Sequence, residues 1–251
     1  MSPSSRRGGR RSDRPDPAPA PVDEEPDAFD EDAEEEENGG FYAAPPRRFD
    51  RLGAGAGAAY AILAFIGSSL LPIGKVKPED SSAAIAKQLV ADRGRVSAGI
   101  LLTMLSLFFL LVFISWLRAW LKDAEGEGGW LSTLAFVGGA VMVAALSVVV
   151  LLAIASTVLD GYGADPVIAR TILVLQWQAV AVTFVPAAAF VGGTGLVGFT
   201  TGALPRWLSI SGLVIGVGLL IPPLAFLPFL LSTLWTGMLA VSLLQRSRFG
   251  F

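Results

Sequence analysis

Long apolar stretches alternate with short polar ones over most of this 251-residue chain. A transmembrane helix needs about 20 consecutive apolar residues. Five segments without any charged residue meet that length, and the last, 207–245, is too long for one span at ordinary tilt. Pro222 and Pro223 lie near its middle, where proline breaks a helix. The pattern therefore predicts an all-α membrane protein with a bundle of about six transmembrane helices. The predicted spans are 53–73, 96–118, 130–157, 168–198, 207–221 and 224–245.

The loop 75–95, between the first two spans, is the longest polar connection of the apolar body. Pro78, Glu79 and Asp80 are typical of a helix start, since proline fits the first turn and acids favour the positive end of the helix dipole. An apolar stripe follows in the next ten residues. We expect a short amphipathic connector helix that ends near Gly94.

Residues 1–50 differ sharply from the body, 51–251. Of the 22 carboxylates of the chain, 14 lie in these first 50 residues, after an arginine-rich head. Such a segment has little apolar surface to bury, so we expect a disordered charged tail. The tail could dock a cationic protein partner through its acidic run, or it could be a solvated extension with no defined partner. We expect no nucleic-acid partner, and the lipid bilayer is the predicted surrounding of the body.

Lysine and arginine near span ends set the orientation of a membrane protein. With six spans and the amino terminus inside, eight basic residues face the cytoplasm and six face outwards. Trp116, Trp120, Trp130 and Trp207 also fall near the predicted inner ends, at the interface that indole prefers. We expect a bacterial inner-membrane protein with both termini in the cytoplasm. The inner set is Arg47, Arg48, Arg51, Arg118, Lys122, Arg206, Arg246 and Arg248.

The composition limits the possible chemistry. The chain has no His and no Cys, which excludes a Ser-His-Asp triad, a cysteine nucleophile and imidazole or thiolate metal sites. No charged residue lies well inside a predicted span, whereas proton relays and intramembrane aspartyl proteases need such groups. We therefore expect no enzymatic activity, no catalytic residue, no bound metal and no cofactor.

One polar stripe crosses the fourth span. Gln176, Thr183 and Thr194, together with Ala187, share one face at helical spacing, and Pro186 should bend the helix. These side chains could line a groove for a small solute. They could instead form hydrogen bonds across a helix interface, each worth about 0.6 kcal/mol, and this is the interpretation we favour.

Glycines spaced four apart let helices approach closely. Gly53 and Gly57 have this spacing in the first span, and Gly212 and Gly216 have it in the fifth. The run 192–195, Gly-Gly-Thr-Gly, comes late in the fourth span and has no lysine after it. We interpret it as a flexible helix end rather than as a phosphate-binding loop.

Four segments of the body resemble a family of uncharacterised actinobacterial multi-pass membrane proteins. They are SSAAIAKQLVADRGRV, WLRAWLKDAEGEGGW, ALPRWLSISGLVIGV and LLSTLWTGMLAVSLLQRSR. The resemblance covers about residues 52–248 and leaves the tail out. It implies six spans and no particular activity. The sequence thus favours a non-enzymatic structural, assembly or interaction role, with a transporter or facilitator of a small neutral solute as the alternative.

Overall fold

A computed structural model of the protein describes residues 50–71, 93–126, 128–158 and 166–249. The regular structure in these ranges is entirely α-helical, so the predicted fold class is confirmed. The tail and most of the loop 75–95, with its predicted connector helix, lie outside the described residues. The helices are α1 (Asp50–Leu70), α2 (Arg93–Glu125), α3 (Trp130–Val158), α4 (Pro166–Val182), α5 (Phe184–Thr201), α6 (Arg206–Leu219) and α7 (Phe226–Phe249).

Five helical segments are long and apolar enough to cross a membrane, which makes this a multi-pass membrane protein. They are α1, α2, α3, the pair α4–α5 and α7. The sixth apolar helix, α6, has 14 residues and is about 21 Å long at 1.5 Å per residue. It is therefore shorter than the roughly 30 Å hydrocarbon core.

Consecutive spans pack antiparallel to each other, with α4 and α5 together forming one span. A methyl group on Gly53, early in α1, would meet the indole of Trp116 late in α2, whereas one on Gly67, late in α1, would meet Thr103 early in α2. Each helix contacts its neighbour in the chain, and α1 also contacts α7, which closes a ring. Helix α5 additionally contacts α2 and α7, so it is the helix with the most helical neighbours.

Both chain ends of the bundle lie on the same side. The early α1 residue Gly57 approaches the late α7 residue Ala240, and Ala61 approaches Gly237. The first residue of α1 and the last residues of α7 therefore share one end of the bundle, which we call the terminal end. Because neighbours are antiparallel, the α2–α3 and α5–α6 connections also lie at the terminal end.

Large side chains fill the interior where neighbouring helices are far apart, and glycines lie where the helices are close together. Phe113, Phe190, Leu208 and Trp235 are among the fully buried side chains. In a membrane, lipid tails are as apolar as the interior, so close packing and hydrogen bonds hold helices together more than burial does. The glycine contacts of this bundle therefore contribute directly to its stability.

The carboxylate of Glu125 stabilises the connection between α2 and α3. Gly126 has a φ of 74°, a left-handed conformation that suits glycine, and it ends α2. The Glu125 carboxylate then accepts hydrogen bonds from the backbone N–H groups of Leu131 (3.0 Å) and Ser132 (2.8 Å). Glu125 thus satisfies two of the free N–H groups at the start of α3 and fixes the angle between two spans.

Helix α2 departs from the prediction at both ends. It begins at Arg93, so Gly94 lies inside its first turn rather than at the end of a connector helix. It also continues to Glu125, past the predicted limit of 118. The reason is that hydropathy marks the part of a helix in hydrocarbon, whereas backbone hydrogen bonds continue through charged residues such as Lys122.

The predicted break at Pro222 and Pro223 is present. Helix α6 ends at Leu219, a short turn follows, and α7 begins at Phe226. The N–H of Leu224 donates to the carbonyl of Ile221 at 2.9 Å inside this turn. The two prolines thus separate two antiparallel helices, and the predicted division of the segment 207–245 holds within a few residues.

The break in the fourth span lies at Thr183, between α4 and α5. Pro186, three residues later, has no N–H to donate to the Val182 carbonyl. Around the break the Thr183 N–H donates to the Val180 carbonyl at 3.0 Å, a tighter turn than an α-helix makes. The helical hydrogen bonding is therefore interrupted on the amino-terminal side of Pro186, and the predicted bend itself stays a prediction.

Candidate functional site

The polar stripe predicted for the fourth span is buried in the bundle. Gln176 exposes 3% of its surface, and Thr183, Ala187 and Thr194 expose none. Gln176 belongs to α4, Thr183 is the residue at the break and the other two belong to α5. The shared face predicted from spacing is therefore an interior face.

The two threonines do not connect helices. The Thr183 hydroxyl donates to the Val180 carbonyl at 2.6 Å, and the Thr194 hydroxyl donates to the Phe190 carbonyl at 2.8 Å. Both acceptors lie three or four residues back along the same span, which is a common arrangement for threonine in helices. The favoured prediction of cross-helix hydrogen bonds is therefore wrong for these two residues.

Gln176 is different, because its side-chain nitrogen is buried without a hydrogen-bond partner. The indole nitrogen of the next residue, Trp177, is also buried without a partner, while its ring packs against Phe226 at 5.9 Å between centroids. An unpaired buried donor costs about 1–3 kcal/mol. Each of these two buried donors lacks an acceptor among the described residues, and they lie at adjacent positions of α4.

Helix α5 packs directly against α3 near Pro186. A methyl group on Gly138 of α3 would lie 2.7 Å from the backbone nitrogen of Phe190 and 2.8 Å from the carbonyl oxygen of Pro186. One on Gly193 of α5 would lie 3.3 Å from the backbone of Ala135. The two helices therefore touch backbone to backbone, with no room for a groove between these residues.

The opposite face of α5 is closed in the same way by α6. A methyl group on Gly195 would lie 2.8 Å from the carbonyl oxygen of Ser209, and one on Gly216 would lie 2.9 Å from the Cα of Gly192. The run 192–195 is thus the middle of a buried helix, and its interpretation as a flexible helix end is wrong. The close helix approach predicted from Gly212 and Gly216 holds, since a methyl group on Gly212 would also lie 3.2 Å from the carbonyl oxygen of Val191 in α5.

A hydrogen bond between α6 and α7 comes from a residue that sequence reasoning missed. The indole nitrogen of Trp235 in α7 donates to the Leu208 carbonyl of α6 at 3.0 Å. A tryptophan in an apolar run gives no polar signal in a hydropathy pattern, so only the fold reveals this bond.

A second missed feature is an apolar groove on the outer face of α7. It has a volume of about 700 Å³ and is lined by α1, α7 and the first turn of α6. Small residues at Ala61 and Gly237 lie where α1 meets α7, and Phe65 and Trp207 flank the groove from either side. Ser242 is the polar residue among those that line it.

Among the described residues, no group of three or more His, Cys, Asp or Glu side chains gathers in a way that could hold a metal ion. Comparison with protein-family models, curated proteins and solved structures finds no match to this chain.

Proposed function

We propose that this protein has a non-enzymatic structural, assembly or interaction role in the membrane. The observation that carries the proposal is the closure of the bundle around α5. Both faces of this helix are in backbone contact, at Gly138 on one side and at Gly216 on the other. A transport path along the polar stripe would need space at these contacts. The packing instead favours a stable scaffold that presents its outer faces and its charged tail.

A transporter or facilitator of a small neutral solute is the second candidate. The unpaired donors of Gln176 and Trp177 favour it, because they could bind a carbonyl or hydroxyl oxygen of a solute. Thr183 and Thr194 contribute less, since their hydroxyl protons are already committed to backbone carbonyls.

Replacing Gln176 with leucine distinguishes the two functions. For a scaffold, removal of an unpaired buried amide should leave the stability unchanged or raise it by up to about 1 kcal/mol. Vesicles with the wild-type or the Gln176→Leu protein should then release glycerol and urea no faster than empty vesicles. Thr194→Val is the matched control, because this hydroxyl is bonded within its own helix. Solute release by the wild type that Gln176→Leu abolishes, with an unchanged melting temperature, would refute the scaffold proposal.

We further propose that the protein lies in a bacterial inner membrane with its terminal end in the cytoplasm. Arg51, Arg118, Lys122, Arg206 and Arg246 belong to the terminal end, and their excess supports this orientation under the positive-inside rule. The described basic residues of the opposite end are Arg93, Arg95 and Arg170.

Single introduced cysteines test the orientation cleanly, because the chain has none of its own. In intact cells, a membrane-impermeant maleimide should label Arg170→Cys and should label Gly250→Cys only after the cells are opened. The reverse pattern would show that the terminal end faces outwards. Labelling of both positions from outside would contradict an even number of spans.

The acidic run of the tail is the proposed docking segment for a protein partner, supported by its 11 carboxylates within residues 23–37. Cross-linking in native membranes, followed by purification, should then give a partner that is lost when residues 2–45 are removed. Membership of the actinobacterial family likewise remains a proposal, supported by the four segments quoted above. No cofactor enters the proposed role.

A further inference from the structure

The apolar groove on α7 continues to the terminal end of the bundle. The polar residue of its lining, Ser242, lies nearest the terminal end. Arg246 follows four residues later on the same face of α7. On the α6 side the groove is lined by Trp207, and Arg206 directly precedes it. An apolar groove of about 700 Å³ therefore has two cations, Arg206 and Arg246, close in sequence to the lining residues at this end.

The fold fixes the position of Arg246 relative to the start of α6. A guanidinium nitrogen of Arg246 donates a hydrogen bond to the Ala203 carbonyl in the α5–α6 connection, three residues before Arg206. This bond holds Arg246 towards the start of α6. Both arginines are exposed, so each retains donors for a ligand.

Trp207 indicates how deep in the membrane this end of the groove lies. More than half of its surface is exposed, although its helix is apolar. An exposed indole at a helix end prefers the boundary between hydrocarbon and headgroups. The adjacent arginines then lie at the level of lipid phosphates, and the groove below them lies in the hydrocarbon.

We propose that the groove holds the acyl chains of one anionic phospholipid, whose phosphate pairs with Arg206 and Arg246. The volume is in the range of about 300–1,000 Å³ that is usual for specific ligand pockets. Arginine forms paired hydrogen bonds to phosphate oxygens, which explains two of them at the headgroup level. Binding at this site therefore depends on both the charge of the headgroup and the shape of the groove, which distinguishes it from general contact with the bilayer.

Charge complementarity also favours a lipid over a second copy of the chain as the occupant of the groove. Two copies in one membrane face the same way, so a symmetric contact through this groove would bring both pairs of arginines to the same level. Like charges across an interface oppose association. An anionic headgroup neutralises the pair instead.

The test measures lipid binding to the full chain in detergent by native mass spectrometry. The probes are dioleoyl-phosphatidylglycerol and its uncharged counterpart, dioleoyl-phosphatidylcholine. We expect the wild type to bind the anionic lipid at least about tenfold more tightly. Arg206→Gln should remove most of this preference, whereas Arg206→Lys, which keeps the charge, should retain part of it. Arg170→Gln is the matched control, since Arg170 is an exposed arginine of the opposite end.

A groove variant tests the acyl-chain part independently. Met238 lines the groove and is 45% exposed, so Met238→Trp should fill the groove without disturbing the core. It should weaken binding of both lipids, whereas Val148→Trp, at a similarly exposed position on α3, should not. Equal binding of the two lipids by the wild type would overturn the proposal, as would equal losses in Arg206→Gln and Arg170→Gln. A wild-type dimer that Met238→Trp converts to a monomer would assign the groove to a second copy instead.

Discussion

Replacing Trp235 with alanine should destabilise the bundle by about 3–5 kcal/mol, the usual cost of deleting a buried tryptophan. Trp235 exposes none of its surface and lies directly against Gly212 of α6. The truncation would leave a cavity between α6 and α7 that lipid cannot fill, so the neighbouring atoms lose their packing contacts. We expect a large drop in the midpoint of unfolding by sodium dodecyl sulfate, followed by circular dichroism.

Two further variants separate the causes of this loss. Trp235→Phe keeps most of the ring volume but removes one donor to the Leu208 carbonyl, which still accepts from the Ser211 hydroxyl, so the lost bond should cost about 0.5–1.5 kcal/mol. Trp130→Ala is the matched control, because Trp130 is 65% exposed at the start of α3. If Trp130→Ala and Trp235→Ala lowered the midpoint equally, the described packing of α6 on α7 would be contradicted.

Replacing Gly138 with alanine is expected to destabilise the protein by about 1–3 kcal/mol through overpacking. The new methyl group would lie 2.7 Å from the Phe190 nitrogen and 2.8 Å from the Pro186 oxygen. Both are backbone atoms, which cannot rotate away as a flexible side chain could. Helices α3 and α5 would have to move apart, and the seal on one face of the polar stripe would open.

Gly55→Ala provides the comparison for Gly138→Ala. A methyl group on Gly55 has nothing within 4 Å, and alanine has a higher helix propensity than glycine by about 1 kcal/mol. This variant should therefore be as stable as the wild type or more stable in the same unfolding assay. A Gly138→Ala protein that matched Gly55→Ala in stability would show that α3 and α5 are not in backbone contact.

These predictions bear on function because the same contacts close the path a solute would need. A scaffold requires that α5 stay fixed between α3 and α6, and glycine allows that by bringing backbones together. Gly138→Ala thus tests the packing on which the proposed function depends. The lipid groove lies on another face of the bundle and does not depend on these contacts.

Much of the fold could be predicted from the sequence for a simple physical reason. A backbone in hydrocarbon must satisfy its own hydrogen bonds, so a long apolar segment has to be a helix. Proline removes one of those bonds, which accounts for the turn at Pro222 and Pro223 and for the interruption of the helix near Pro186. The stripe of Gln176, Thr183 and Thr194 was likewise correctly assigned to a shared face, since helical spacing alone decides this.

Partners across helices could not be predicted, because they depend on which spans touch. Threonine can bond to its own helix or to another, and the spacing of Thr183 and Thr194 is the same in both cases. The structure shows the local bond for both, and it leaves the amide nitrogen of Gln176 without a partner. Trp235 instead forms a bond from α7 to α6, through a donor that a hydropathy scale does not register.

The sequence by itself determined that this chain is a helical membrane protein and that its apolar stretch 207–245 is divided at Pro222 and Pro223, because these properties depend on local hydropathy and backbone bonding. Tertiary structure alone decided that the glycines of 192–195 pack against α3 and α6, and that Trp207 of α6 joins α1 and α7 in lining one apolar groove. Both outcomes require residues far apart in the chain to come together. A pattern read along one chain contains no information about which helices become neighbours.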